Sequence, residues 1–106
     1  MGIDEALIAE ILRRILAASR PDRIILFGSA AVGRMTRDSD VDLLVLEKNP
    51  ADAHRESVRL HDALRGLGVP IDVIVMPTER FEETKDLVGG IAYPARKYGK
   101  VLYEAA

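Results

Sequence analysis

RIILFGSAAVGRMTRDSDVDLLVL, residues 23 to 46, holds two apolar runs separated by a polar turn. The first run, Arg23 to Phe27, is short and dominated by Ile, Leu and Phe, and reads as a buried strand. Gly28 and Ser29 break it, and Ser29 is placed to cap a brief helical turn through Val32, closed by Gly33. Polar residues from Arg34 to Ser39 read as a loop. Val41 to Leu46 is a second strand, with two carboxylates, Asp40 and Asp42, at its head. Side chains alternate across a strand, so Asp40 and Asp42 share a face with Leu44 and Leu46, while Val41, Leu43 and Val45 take the other. The Cα atoms of the two aspartates should lie about 6.5–7 Å apart, which lets both carboxylates converge on one cluster of cations.

Outward from these strands the period changes. Asp4 to Ala18 carries apolar residues at 7, 8, 11, 12, 15 and 16, the spacing of a helix with one apolar face, and Pro21 ends it. After the second strand, Asn49-Pro50 predicts a helix start, with Asn as cap and Pro in the first position. That helix should run to about Leu64, with Ala53, Leu60, Leu64 and Leu67 inward and Gly66 and Gly68 ending it. Ile71 to Met76 is a third strand, stopped by Pro77, and Thr78 reads as the cap of a short helix through Asp86. Gly89-Gly90 is a break, Ile91 to Tyr98 a last short helix, and Lys100 to Tyr103 a small edge strand. The order predicts one domain over residues 1–106, of α/β (α+β) class, with a small mixed sheet flanked by helices in two layers. The third strand is reached through a helix, which permits parallel pairing with a neighbour.

Composition narrows the chemistry. The chain has 106 residues, 48% hydrophobic and 30% charged, which argues against disorder. Its apolar runs are far shorter than the roughly twenty residues that cross a bilayer, so no membrane role is expected. The acidic start, MGIDEALIAE, predicts no secretory leader, and the absence of cysteine fits a cytoplasmic protein and removes thiol nucleophiles and zinc–thiolate sites. A formal charge of -2 with no long Lys/Arg block argues against direct nucleic-acid binding.

Asp72 repeats the carboxylate pattern on the third strand, where it is the lone charge between Pro70 and Pro77 and shares a face with Ile74 and Met76. A single Asp at a strand end is ordinarily a surface acid. Three on two apolar strands repel one another unless a cation intervenes. With no Cys and two His, a hard divalent ion on oxygen ligands is the natural candidate. His54 and His61 lie seven apart on the predicted helix, too far for a shared metal, and read as surface or packing residues. Gly28-Ser29 alone is a capped turn. Beside the three acids it becomes a seat for phosphate oxygens, although it is no P-loop, since neither GKS nor GKT follows.

Gly28-Ser29, ten residues, then Asp40-Val41-Asp42 resembles the G-S-x10-D-x-D signature of the DNA polymerase beta-like nucleotidyltransferase superfamily, with Asp72 where that superfamily carries its third carboxylate. The short length, the leading helix and the ending Gly-Lys-Val-Leu-Tyr-Glu resemble the minimal nucleotidyltransferases of that superfamily. The resemblance implies the nucleotidyltransferase fold. It implies that Asp40, Asp42 and Asp72 hold two Mg²⁺ ions, with Asp72 also serving or assisting the base on the attacking hydroxyl. It implies that Gly28 and Ser29 bind the β- and γ-phosphates of ATP. Many minimal members read G-S-x-A-R-G, whereas Val32 stands here at the usual arginine, so Arg34 and Arg37 are the candidates to supply that charge. Such proteins are commonly paired with a HEPN toxin, for which the transferase is an MntA-type antitoxin that moves AMP from ATP to a toxin tyrosine. Two other readings stand beside it: an antitoxin that inhibits its partner by steric cover alone, and a plain α/β domain with an incidental acid cluster. Tyr93, Tyr98 and Tyr103 near the C-terminus read first as packing, and second as a surface for a partner or a homo-oligomer.

Overall fold

The structure, a computed structural model, describes residues 4–28, 31 and 40–106. The two apolar runs become β1 (Arg23–Phe27) and β2 (Val41–Glu47), paired antiparallel with Phe27 opposite Asp42. The end of β1 and the head of β2 therefore meet at one rim of the sheet. β3 (Ile71–Pro77) lies on the other side of β2, parallel to it, with Asp42 opposite Asp72. β4 (Lys100–Glu104) pairs antiparallel with β1, and the order of the four-stranded mixed sheet is β3-β2-β1-β4.

Alternation along β2 sorts its side chains into two cores. Val41, Leu43 and Val45 pack with Ile11 and Ile15 of α1 (Glu5–Ala18) and with Leu60 of α2 (Ala53–Ala63). Leu44 and Leu46 pack on the opposite face with Phe81 of α3 (Thr78–Thr84) and with Ala92 and Ala95 of α4 (Ala92–Tyr98). Helices thus cover both faces, and the two-layer expectation is corrected to three. The reason lies in β2 itself: a strand apolar on both sides needs cover on both sides. No helix of the described residues is long and apolar enough to cross a membrane.

The caps explain where two helices depart from their predicted starts. Asn49 adopts a left-handed φ of 48° in the turn after β2, and α2 begins at Ala53 rather than Pro50. Asp52 caps it, accepting from Arg55 N at 3.0 Å, because its carboxylate can reach an orphan amide of the first turn. Thr78 does not cap α3; its hydroxyl donates to the Asp22 carboxylate instead, and the helix stops at Thr84 rather than Asp86.

Two contacts fix α2, which matters for the site. Ser57 Oγ accepts from Val75 N and donates to Ala53 O, both at 2.8 Å. This pins α2 along the outer edge of β3 and satisfies an amide that would otherwise invite another strand. Arg14 of α1 donates to the Arg65 carbonyl at 2.7 Å, just past the end of α2, where carbonyls lack partners.

Candidate active site

Sheet register, rather than sequence proximity, assembles the site. Asp42 and Asp72 are 30 residues apart in sequence and directly opposite in a parallel pair. Their Cα atoms are therefore about 4.8 Å apart with both side chains on one face. Phe27, opposite Asp42 on the other side, carries the chain into Gly28, whose φ is +75°. That left-handed conformation suits glycine for a second reason: a Cβ at Gly28 would run into Asp42 Oδ2. The turn and the carboxylate are packed against each other.

The electrostatics of Asp42 follow from this placement. Burial at the strand head, then the charges of Asp72 and Asp40, push its carboxyl above the ordinary value. All three influences oppose ionisation, and none comes from a cation among the described residues. Asp40 is exposed and stands just before β2. No three acids or imidazoles of the described residues are arranged to hold a metal ion by themselves. The facing pair Asp42–Asp72 still suits a divalent ion. Such an ion takes one or two carboxylates and completes its shell with phosphate and water oxygens, and it would relieve the strain on Asp42.

Of the residues singled out in the sequence, the structure thus brings together Gly28, Asp42 and Asp72, with Asp40 at the rim. Ser29, Arg34 and Arg37, and also Val32, lie outside the described residues. An open cleft of about 610 Å³ begins at the carboxylates and is lined by Phe27, Asp42, Asp72, Ile74 and the α2 residues His54 and His61, among others. The two histidines, read as surface or packing residues, belong to the cleft that holds Asp42 and Asp72. Their shared helix face was visible in the spacing. What was missing was that α2 runs along β3, which the Ser57–Val75 bond and the packing of Leu60 and Leu64 on Val73 and Val75 reveal.

A model of the nucleotidyltransferase domain family matches residues 7–97. The chain belongs to the nucleotidyltransferase family. No curated protein sequence matches it. Three solved structures share its fold at low sequence identity. A toxin-antitoxin structure with AMP-PNP has a TM-score of 0.64 at 20% identity, covering 92% of this chain and 73% of that one. A mutant of the toxin-antitoxin MntA-HpeT has a TM-score of 0.66 at 21% identity, covering 97% and 75%. A candidate nucleotidyltransferase from Sulfolobus solfataricus has a TM-score of 0.63 at 17% identity, covering 98% and 92%.

Proposed function

We propose that this nucleotidyltransferase moves AMP from ATP to a hydroxyl, the tyrosine of a HEPN-type toxin partner, and so acts as the antitoxin of a pair. The observation that carries the reading is the register of Asp42 against Asp72 beside the Gly28 turn. Two acids held together on an apolar strand face, with Asp40 next to them, fit oxygen-ligand sites for Mg²⁺. Bound there, Mg²⁺ would neutralise triphosphate charge and position the reacting oxygens. Gly28 leaves the backbone open to phosphate oxygens, and we assign Ser29, Arg34 and Arg37 to the same phosphate seat. Asp72, on the outer strand, takes the proton of the acceptor hydroxyl. The hydroxyl oxygen then bonds to the α-phosphorus as the bond to the bridging oxygen breaks, and pyrophosphate leaves. The toxin-antitoxin neighbours, one with AMP-PNP, support the nucleotide and the partner in this reading.

The test is transfer of label from α-labelled ATP, with Mg²⁺, to the protein that co-purifies with this chain. The wild type should label its partner, and Asp42→Asn should lower the rate at least about a thousandfold, a loss of ~4 kcal/mol in transition-state stabilisation. Absence of label from the wild type, with the partner still silenced by the variant, would leave steric cover as the mechanism.

A further inference from the structure

Beyond the carboxylates, the cleft has a wall that the proposed reaction has not used. His54, Ser57, Val58 and His61 all line it, and they form one stripe on α2. Ser57 is engaged with Val75, which sets the level of the helix against the strand. α2 runs antiparallel to β3, since it descends from β2's far end and returns to the head of β3. Four residues past Ser57, His61 is about 6 Å further along the helix axis, or about two strand residues, which brings it level with Val73 on the α2 face. Asp72 takes the opposite face, and the two meet in the cleft because it wraps the free edge of β3. His54 lies about 10 Å from His61 down the same trough. Val58, an apolar side chain left 48% exposed, sits between them and lines the cleft.

The strand order then separates two sides of the reaction. Gly28 follows β1, Asp42 is second in β2, Asp72 is second in β3, and the α2 stripe lies along the free edge of β3. A triphosphate seated at Gly28 leaves the stripe on the opposite side of the carboxylates, where the attacking hydroxyl must approach. The described residues lining this side include no Lys or Arg but do include Asp42, Asp72, Val58, Val73 and Ile74. With Mg²⁺ at the carboxylates already shared with the triphosphate, this side offers a polyanionic acceptor no Lys or Arg of the described residues, whereas a neutral ring bearing a hydroxyl meets apolar walls and polar ends.

We propose that the α2 stripe is the acceptor-binding wall: Val58 packs against the aromatic ring of the acceptor side chain, His61 hydrogen-bonds its hydroxyl beside Asp72, and His54 contacts the polypeptide that carries it. This rests on the acceptor reading above, but its test does not require transfer. The chain has two histidines, so its imidazole Cε1–H resonances are two in number and are assigned with His54→Gln and His61→Gln. N-acetyltyrosinamide is titrated into the full chain while these resonances are followed. The expected result is a saturable shift of His61, with binding about tenfold weaker in Val58→Glu, where a charge replaces the apolar contact, and no displacement by Mg²⁺-ATP. A His61 resonance that the probe leaves unmoved overturns the assignment. Competitive displacement by Mg²⁺-ATP also overturns it, because the wall would then belong to the nucleotide. Loss of label transfer with normal probe binding would instead count against the proposed reaction and leave the wall in place.

Discussion

Asp42 and Glu47 stand near opposite ends of one strand, and both are carboxyls pushed above their ordinary values by burial and by like charge. The protein treats the two ends differently. Glu47 points to the α2 side, where Glu56 faces it and Arg59 and the Ser19 hydroxyl pull the other way. Its carboxyl is raised to about 7, while Glu56 is held down chiefly by its hydrogen bonds from Arg59. Glu47 Oε2 is buried without a hydrogen-bond donor, which a proton shared between the two carboxyls supplies. Repulsion at this end is resolved within the fold. At the Asp42 end the neighbours are Asp72 and Asp40, and no cation of the described residues offsets them. A like-charge pair with an internal solution reads as structure, and one without reads as a site for something external.

The sharpest way to break the comparison is at Gly28. Replacing it with Ala forces a side chain into a left-handed conformation, at about 1–2 kcal/mol, and drives its Cβ into Asp42 Oδ2. The carboxylate can swing aside, so folding survives, but the metal-facing geometry does not. Transfer should fall on the order of a hundredfold, as for a displacement of about 1 Å in a positioned group. Gly66→Ala is the control: its φ is also positive, at +83°, but a Cβ there meets nothing within 4 Å. It should lower the melting temperature as much and leave transfer intact. Equal losses of transfer in both variants would reduce Gly28 to a backbone requirement.

How much of this could be read in the chain follows from the range of the interactions. β1, β2 and β3 were legible because each is a dense apolar run with a breaker near its end, and the face shared by Asp42, Leu44 and Leu46 follows from alternation alone. The meeting of Asp42 with Asp72 was not legible as a contact. It depends on the parallel register of β2 and β3, to which no local signal points. Asn49-Pro50 misled because its local preference is real: Asn tolerates a left-handed φ, and it spends that tolerance in the turn, three residues before the cap at Asp52. The histidines are exposed, as their spacing suggested, but that they face the cleft of Asp42 and Asp72 could not be read, because a helix face has no meaning until its neighbour is known.

Acidity tests the Glu47 end. Folded Glu47 holds its proton more tightly than the unfolded chain does, so its contribution to stability is full below pH 4.5 and is lost as pH rises through about 7. Asp42 acts in the same direction, and Glu56 in the opposite one, its contribution fading as pH falls below the ordinary carboxylate range. Glu47→Gln keeps a donor for Glu56 and cannot ionise. Denaturant unfolding should find the variant about 1–2 kcal/mol more stable than wild type at pH 8, well below the full titration value because the carboxyl is partly solvated. At pH 5 the two should be nearly equal. A variant no more stable than wild type at pH 8 would mean that Glu47 and Glu56 share no proton.

The smallest effect separates the two ends most cleanly. A divalent ion that binds the folded chain alone stabilises it by mass action, so Mg²⁺ at three times its Kd should add ~0.8 kcal/mol. For a domain of this size that raises the melting temperature by roughly 3–6 °C. The gain should vanish in Asp42→Asn and persist in Glu47→Gln, since at the Asp42 end no cation among the described residues answers the charge. Asp42→Asn should itself melt no lower than wild type without Mg²⁺, because it removes a carboxylate that burial and two neighbours oppose. If Mg²⁺ stabilises Asp42→Asn as much as wild type, the ion binds elsewhere. The repulsion at the head of β2 would then have to be relieved by protonation, as at Glu47, and the two ends would differ in degree alone.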